Sequence, residues 1–242
     1  MKRLFLSLTA LILPLSASAH PDTKGDDTMI HTYILLDRTG SMSPIWDEAL
    51  GSVNAYAKSL ADDSDGREVD GKITVAVFDA QDGIQYDVLR RGVWADDWTD
   101  ITNDEASPRG MTPLFDAIGR TVIVAETDKP EKAIIVIMTD GQENASREFD
   151  KKSANAALDR ARERGWEVVF LGAEYANFSD AEAVGVSGSK SMAIGSGNIQ
   201  SSMDRLGKKS RGYAAGEEAE IEFDEEDRAV AGEDDVKQRK GN

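Results

Sequence analysis

Short apolar runs alternate along the chain with longer stretches in which apolar positions recur every three or four residues. The run from His31 to Asp37 (HTYILLD) has strand length and ends on an acidic residue. Continuous apolar character of this kind suits a parallel strand covered on both faces. Ser43-Pro44 predicts a helix start, with the serine as cap and the proline in the first turn. Trp46, Ala49, Leu50, Val53, Ala57 and Leu60 then fall on one helical face. The Asp- and Gly-rich stretch from Asp62 to Gly71 reads as a solvated loop. Ile73 to Phe78 (ITVAVF) and Ile84 to Leu89 (IQYDVL) are the next strands. Asp82-Gly83 between them is a turn signal, so the pair is expected to form an antiparallel hairpin at one sheet edge.

A polar loop carrying Trp94 and Trp98 leads to Gly110, and Pro113 opens a second helix with Leu114, Phe115, Ile118, Val122 and Ala125 on its apolar face. Ala133 to Met138 (AIIVIM) is the most apolar strand, and Asp140 follows it. A helix with Ala154, Ala157, Leu158 and Ala161 comes next, then a strand from Val168 to Leu171. A weaker helix near Ala181, a short strand from Ser191 to Ile194 and a helix carrying Ile199, Met203 and Leu206 complete the pattern. Strands alternating with helices predict an α/β fold: a doubly wound, Rossmann-like, mainly parallel sheet with one antiparallel edge strand and helices on both faces. Such sheets bind ligands beyond the carboxyl ends of their strands, which is where Asp37 and Asp140 fall.

The two ends of the chain read differently. Lys2 and Arg3, the apolar run from Leu4 to Leu15 and the small residues Ala17-Ser18-Ala19 have the three parts of a secretory signal peptide. The apolar part is too short to span a membrane, which takes roughly 20 residues. Residues 1–19 are therefore expected to be a cleaved signal, residues 20–28 a flexible polar segment and residues 29–215 the folded domain, in the periplasm or secreted. The alternative is translation from Met29 and a cytoplasmic protein. From Glu217 onward the chain is dense in acid and poor in large apolar groups, so residues 216–242 are expected to form a disordered acidic tail.

Composition narrows the function. Hydrophobic residues make up 40% and charged residues 30%, an ordinary globular balance. The formal net charge of −17 repels phosphate backbones and anionic membranes, which argues against nucleic acid as a partner and favours divalent cations. With no cysteine, disulfides, thiolate metal sites and cysteine nucleophiles are excluded. His20 and His31 are the only histidines, and neither lies at a loop end where it could serve a Ser-His dyad.

The chemistry concentrates in three loops. Asp37-Arg38-Thr39-Gly40-Ser41 matches the pattern D-x-[ST]-x-S, Gly110-Met111-Thr112-Pro113-Leu114 precedes the second helix, and Thr139-Asp140-Gly141 follows an apolar strand. Taken singly, each could be a turn or a helix cap. Together, and in this order, they resemble the metal-ion-dependent adhesion site (MIDAS) of von Willebrand factor A (VWA) domains, over residues 31–215. The chain is identified by this resemblance as a bacterial-type, secreted, single-domain VWA protein. The resemblance implies a metal site of Asp37, Thr39, Ser41, Thr112 and Asp140. It would bind magnesium, with manganese or calcium as alternatives. Hydroxyl oxygens are the hard ligands such ions prefer. In that family the carboxylates commonly act through bound water, which leaves the ion electrophilic at an open position. The implied function is non-catalytic: a monomeric module that holds an Asp or Glu of a protein partner on the ion. Arg38, at a position variable in the family, would place a guanidinium beside that ion.

Other readings fit less well. Around Asp62-Asp63-Ser64-Asp65-Gly66, a calcium loop with Gly66 at its sixth position would begin at Ala61 and end at Lys72, which are not ligands. There is no phosphate loop, and Gly195-Ser196-Gly197 is only half a dinucleotide fingerprint. A magnesium-dependent phosphatase of haloacid dehalogenase type could use Asp37 as nucleophile, but the second acid it wants is replaced by Thr39. Service to an ATPase or metal-insertion complex is a further alternative within the binding class.

Overall fold

A computed structural model describes residues 29–173 and 178–239. The expected signal segment and residues 20–28 lie outside the described residues. Six strands form one sheet in the order β3-β2-β1-β4-β5-β6. These are β1 (Met29–Asp37), β2 (Asp70–Ala80), β3 (Ile84–Trp94), β4 (Ala133–Thr139), β5 (Glu167–Ala173) and β6 (Ser191–Ile194). All neighbouring pairs are parallel except β2 with β3. The doubly wound sheet with one antiparallel edge strand is therefore the architecture expected from the alternating pattern.

β1 is central, and side chains of alternate parity reach opposite layers. Ile30, Ile34 and Leu36 enter a core with α1 (Trp46–Ala61) and α5 (Ile199–Ala214). Tyr33 and Leu35 enter a second core with α2 (Leu114–Asp128) and α3 (Lys151–Glu163), joined by Ala181 of α4 (Phe178–Ala183). Burial on both faces is why β1, β4 and β5 read as unbroken apolar runs. From β1 the chain winds outward to β2 and β3, then returns to β4 and winds the other way. The reversal lies between β1 and β4, and the carboxyl ends of those two strands form the crevice where such sheets bind ligands.

Three local expectations are corrected. The first helix does not start at Ser43: Gly40–Ile45 forms a 3-10 turn and α1 begins at Trp46, with the Ser43 hydroxyl donating to the Gly40 carbonyl. The loop after β1 must double back over the sheet before a regular helix can start. β3 runs past Leu89 to Trp94, because its edge position tolerates Arg90 and Arg91, which pair with Glu105 and Asp128. The Asp62–Gly71 loop is more than a solvated loop. Asp65 accepts from the guanidinium of Arg211 at 2.8 and 3.1 Å, and Arg211 is 1% exposed.

The acidic C-terminal stretch is folded, contrary to the disordered tail its composition suggests. α6 (Glu225–Ala231) starts in a reciprocal capping box between Asp224 and Asp227, and α7 (Glu233–Arg239) follows. Ile221, Phe223, Ala231 and Val236 are buried. The acids are offset by cations: Asp227 pairs with Arg205 and Lys209, and Glu233 with Arg228 and Lys237. The segment covers the free edge of β6. The Glu233 carboxylate accepts from the Ala193 amide, the Ala231 carbonyl accepts from the Gly195 amide, and Arg228 donates to the Ser191 carbonyl. Backbone groups that an edge strand leaves open are thereby satisfied.

Candidate metal centre

Asp37 ends β1 and Asp140 follows β4, so the two carboxylates arrive side by side at the crevice. Asp37 is completely buried. Its Oδ1 accepts from the Thr39 amide at 2.7 Å and its Oδ2 from the Thr139 hydroxyl at 2.5 Å. Burial pushes its carboxyl up to about 7, against the pull of those hydrogen bonds. Asp140, 3% exposed, is likewise raised by burial. Its Oδ1 accepts from the Ser41 hydroxyl at 2.7 Å, while its buried Oδ2 has no hydrogen-bond partner.

The three hydroxyls converge on the same spot. Thr39 Oγ1 and Ser41 Oγ are 3.2 Å apart, and Thr112 Oγ1 lies 3.3 Å from Thr39 Oγ1. Thr112 comes from the loop before α2, which is stitched to the first loop by hydrogen bonds from Gly40 to Gly110 and from Arg109 to Arg38. Gly110 has φ 70°, and a Cβ there would meet the Ala80 carbonyl oxygen at 2.5 Å, so glycine is required. All five residues named from the sequence are thus brought together.

The arrangement fits a small hard cation. Octahedral coordination at ~2.0–2.1 Å sets neighbouring oxygens about 3 Å apart, close to the observed hydroxyl separations. A Cβ added at Gly141 would lie 3.0 Å from Thr112 Oγ1, 3.5 Å from Ser41 Oγ and 3.7 Å from Asp37 Oδ2. The glycine leaves room among those oxygens. A buried carboxylate oxygen without a partner is costly, and a cation would satisfy it. Among the described residues no cluster of three or more His, Cys, Asp or Glu could hold a metal, so hydroxyls must supply much of any shell here.

Comparison with solved structures places this geometry in a known fold. A von Willebrand factor type A protein from Catenulispora acidiphila aligns with a TM-score of 0.51 at 12% identity, over 76% of this chain and 43% of that one. That alignment decides the architecture. The fold is that of a VWA domain. The manganese-loaded TRAP protein of Plasmodium vivax aligns with a TM-score of 0.53 at 16% identity, over 75% of this chain and 74% of that one. Proximal thread matrix protein 1 from the mussel byssus, in a structure with a zinc-occupied MIDAS motif, gives 0.52 at 15% identity, over 76% and 48%. The pilus adhesin SpaC of Lactobacillus rhamnosus GG in its open conformation gives 0.60 at 12% identity, over 77% and 30%. The chain spans less than half the length of the mussel and pilus proteins. No family model and no curated protein matches the sequence.

Within this fold Arg38 is turned toward the β2–β3 edge of the sheet. Its guanidinium is 4% exposed and donates to Asp79 at 2.7 Å and Asp87 at 2.5 Å, with Arg109 on the other Asp79 oxygen at 3.1 Å. The expectation of a guanidinium beside the ion is corrected: two acids on β2 and β3 draw it away. The structure also gives roles to residues beyond the five named for the metal. Thr139 fixes Asp37. Asn144 accepts from the Thr112 amide at 2.9 Å, and its own amide donates back to the Thr112 carbonyl. Glu143 accepts from the amides of Phe115, Ala145 and Ser146 and from the Ser146 hydroxyl. Asp116 accepts from the amides of Arg147, Glu148 and Phe149. These acids tie the loop after β4 to the start of α2. Their signal was faint, since an Asp or Glu near a helix start reads as ordinary dipole compensation.

Proposed function

We propose that this domain is a non-catalytic, metal-dependent protein-binding module. Asp37, Thr39, Ser41, Thr112 and Asp140 hold one divalent cation, magnesium or manganese, and an acidic side chain of a protein partner completes its shell. The observation that carries the reading is the unpartnered, buried Asp140 Oδ2 beside three converging hydroxyls. The metals in the mussel and Plasmodium structures support a divalent ion in this fold. The cation would supply a positive, ligand-accepting centre. The chain's own contribution is to hold neutral hydroxyls at the opening and keep the carboxylates behind them.

Ser41 is exposed, and Met111, next to Thr112, is 53% exposed. The opening is therefore flanked by a hydroxyl that a partner can reach and by an apolar side chain it can cover. A phosphatase role for Asp37 fits poorly, because both carboxylate oxygens are engaged and the side chain is fully buried. Location outside the cytoplasm belongs to the same proposal. It rests on the signal-like start of the sequence and on the kinship in fold with a pilus adhesin.

Thermal unfolding with magnesium, manganese or chelator tests the site. Binding to the folded state alone raises the Tm with metal concentration. The wild type should respond, and Asp37→Ala and Thr112→Ala should not. A wild-type Tm indifferent to both metals would overturn the assignment.

A further inference from the structure

A groove of about 750 Å³ opens beside the metal loops, between the starts of α2 and α3. It begins at Phe115 and Glu143, each three positions beyond a site residue, Thr112 and Asp140. Half-buried Phe115 and Phe149 give it an apolar floor, and Arg147, Lys151 and Lys152 line its wall.

The groove is lined by three acids and three cations, and only the acids make side-chain hydrogen bonds or ion pairs with the described residues. Glu143 accepts from the Phe115 amide and from its own loop, Asp150 from Ser153 of α3, and Glu148 takes two hydrogen bonds from Arg120 at 2.6 and 3.0 Å. Arg147, Lys151 and Lys152 are exposed and make no ion pair or side-chain hydrogen bond with the described residues. On the same two helices Arg120, Arg160 and Arg162 are all paired. Lys151 and Lys152 also occupy the first turn of α3, directly after the Asp150 carboxylate that caps the helix. A protein of formal net charge −17 thus carries three exposed cations around one apolar groove, none of them ion-paired among the described residues.

We propose that this groove is the second half of the partner-binding surface. It takes an acidic segment with aromatic side chains from the partner whose carboxylate sits on the cation, and in that respect it rests on the metal reading above. The aromatic groups cover Phe115 and Phe149, and the partner's acids pair with Arg147, Lys151 and Lys152. The groove supplies the steering and sequence preference that a single carboxylate on an ion lacks.

The test uses isotope-labelled full-length protein titrated in NMR with two synthetic peptides, in magnesium and in chelator. One peptide is of glutamates interspersed with phenylalanines; the other has lysines in place of the glutamates. The glutamate peptide should shift the amides of Phe115, Arg147, Phe149, Lys151 and Lys152, and the lysine peptide should not. Combining Arg147→Glu, Lys151→Glu and Lys152→Glu should weaken binding at least roughly tenfold, about 1.4 kcal/mol. The magnesium-dependent Tm shift should persist in that variant. Acids in the first turn favour the helix, so an unchanged or higher Tm rules out misfolding as the cause. Absence of binding, shifts confined to other surfaces, or unchanged affinity in the triple variant would overturn the proposal. The two readings separate cleanly. Groove shifts without any magnesium effect on Tm would sink the metal site alone, and a magnesium effect without groove shifts would sink the groove alone.

Discussion

Ser41 and Asp140 are joined by one hydrogen bond of 2.7 Å that satisfies only one of the two carboxylate oxygens. The other oxygen is buried with nothing to accept from, so metal-free protein carries an uncompensated group at the mouth of its site. Asp140→Asn should therefore uncouple stability from binding. Removing an unsatisfied buried carboxylate relieves a desolvation cost of about 1–3 kcal/mol. In chelator the variant should be more stable than the wild type, and in magnesium less stable. Paired denaturant titrations check the crossing. Equal ranking in both conditions would show that no cation uses this oxygen.

Gly141 leaves open the space a ligand shell would need. Alanine there would put its methyl 3.0 Å from Thr112 Oγ1 and 3.5 Å from Ser41 Oγ. Gly141 is not among the positive-φ glycines, so the backbone accepts alanine without strain. Gly141→Ala should change metal-free stability by less than about 1 kcal/mol and weaken manganese binding by roughly tenfold or more, about 1.4 kcal/mol. Calorimetric titration with manganese measures the affinity directly.

The strands were legible because β1, β4 and β5 are buried on both faces and each residue carries that burial in its own identity. The three site loops were legible for a related reason. Asp37, Thr39 and Ser41 are close in sequence, and their spacing survives without knowledge of the fold. What escaped depends on contacts between distant segments. Asp65 looks like any loop acid until Arg211 is seen lying over it. Glu143 and Asp116 gain their roles only when the loop after β4 meets α2. Arg38 sits within the motif, but Asp79 on another strand decides where its guanidinium points. In the C-terminal stretch, average polarity masked a few well-separated apolar anchors and cations contributed from elsewhere.

His31 makes stability depend on pH at a site remote from the metal loops. Its Nδ1 is 3.0 Å from the Tyr33 hydroxyl and its Nε2 is 2.9 Å from the Thr74 hydroxyl. Burial lowers its pKa to about 4, against the raising influence of Asp128. A base whose folded pKa is depressed is protonated first in the unfolded chain. Stability is thus complete above pH ~6.5 and is lost as pH falls toward 4. The full loss is about 3 kcal/mol. Comparing the wild type with His31→Gln at each pH isolates this residue from the carboxylates. The difference in unfolding free energy should vary by up to one proton's slope between pH 4 and 6.5 and be flat above. A flat difference across that window would mean that the ring protonates freely in the folded state.

The C-terminal segment is the place where the structure changes an experiment most. A disordered tail could be removed after Gly216 at no cost to folding. Here Ile221, Phe223, Ala231 and Val236 are buried, and truncation would strip them from the core and uncover β6. Even Ile221→Ala should cost about 2–5 kcal/mol, the range for removing a large buried aliphatic side chain. Truncation after Gly216 should lower the Tm further and produce self-association, because the Ser191–Ile194 edge would then offer unpaired backbone groups. Sedimentation velocity and thermal unfolding of the truncated protein check both effects. A monomer with wild-type Tm would show that the helices of this segment rest on the domain without stabilising it. Raising the salt concentration distinguishes the two kinds of attachment. The ion pairs of Asp227 and Glu233 weaken with screening, whereas the apolar anchors do not, so the intact protein should keep most of its Tm at high salt.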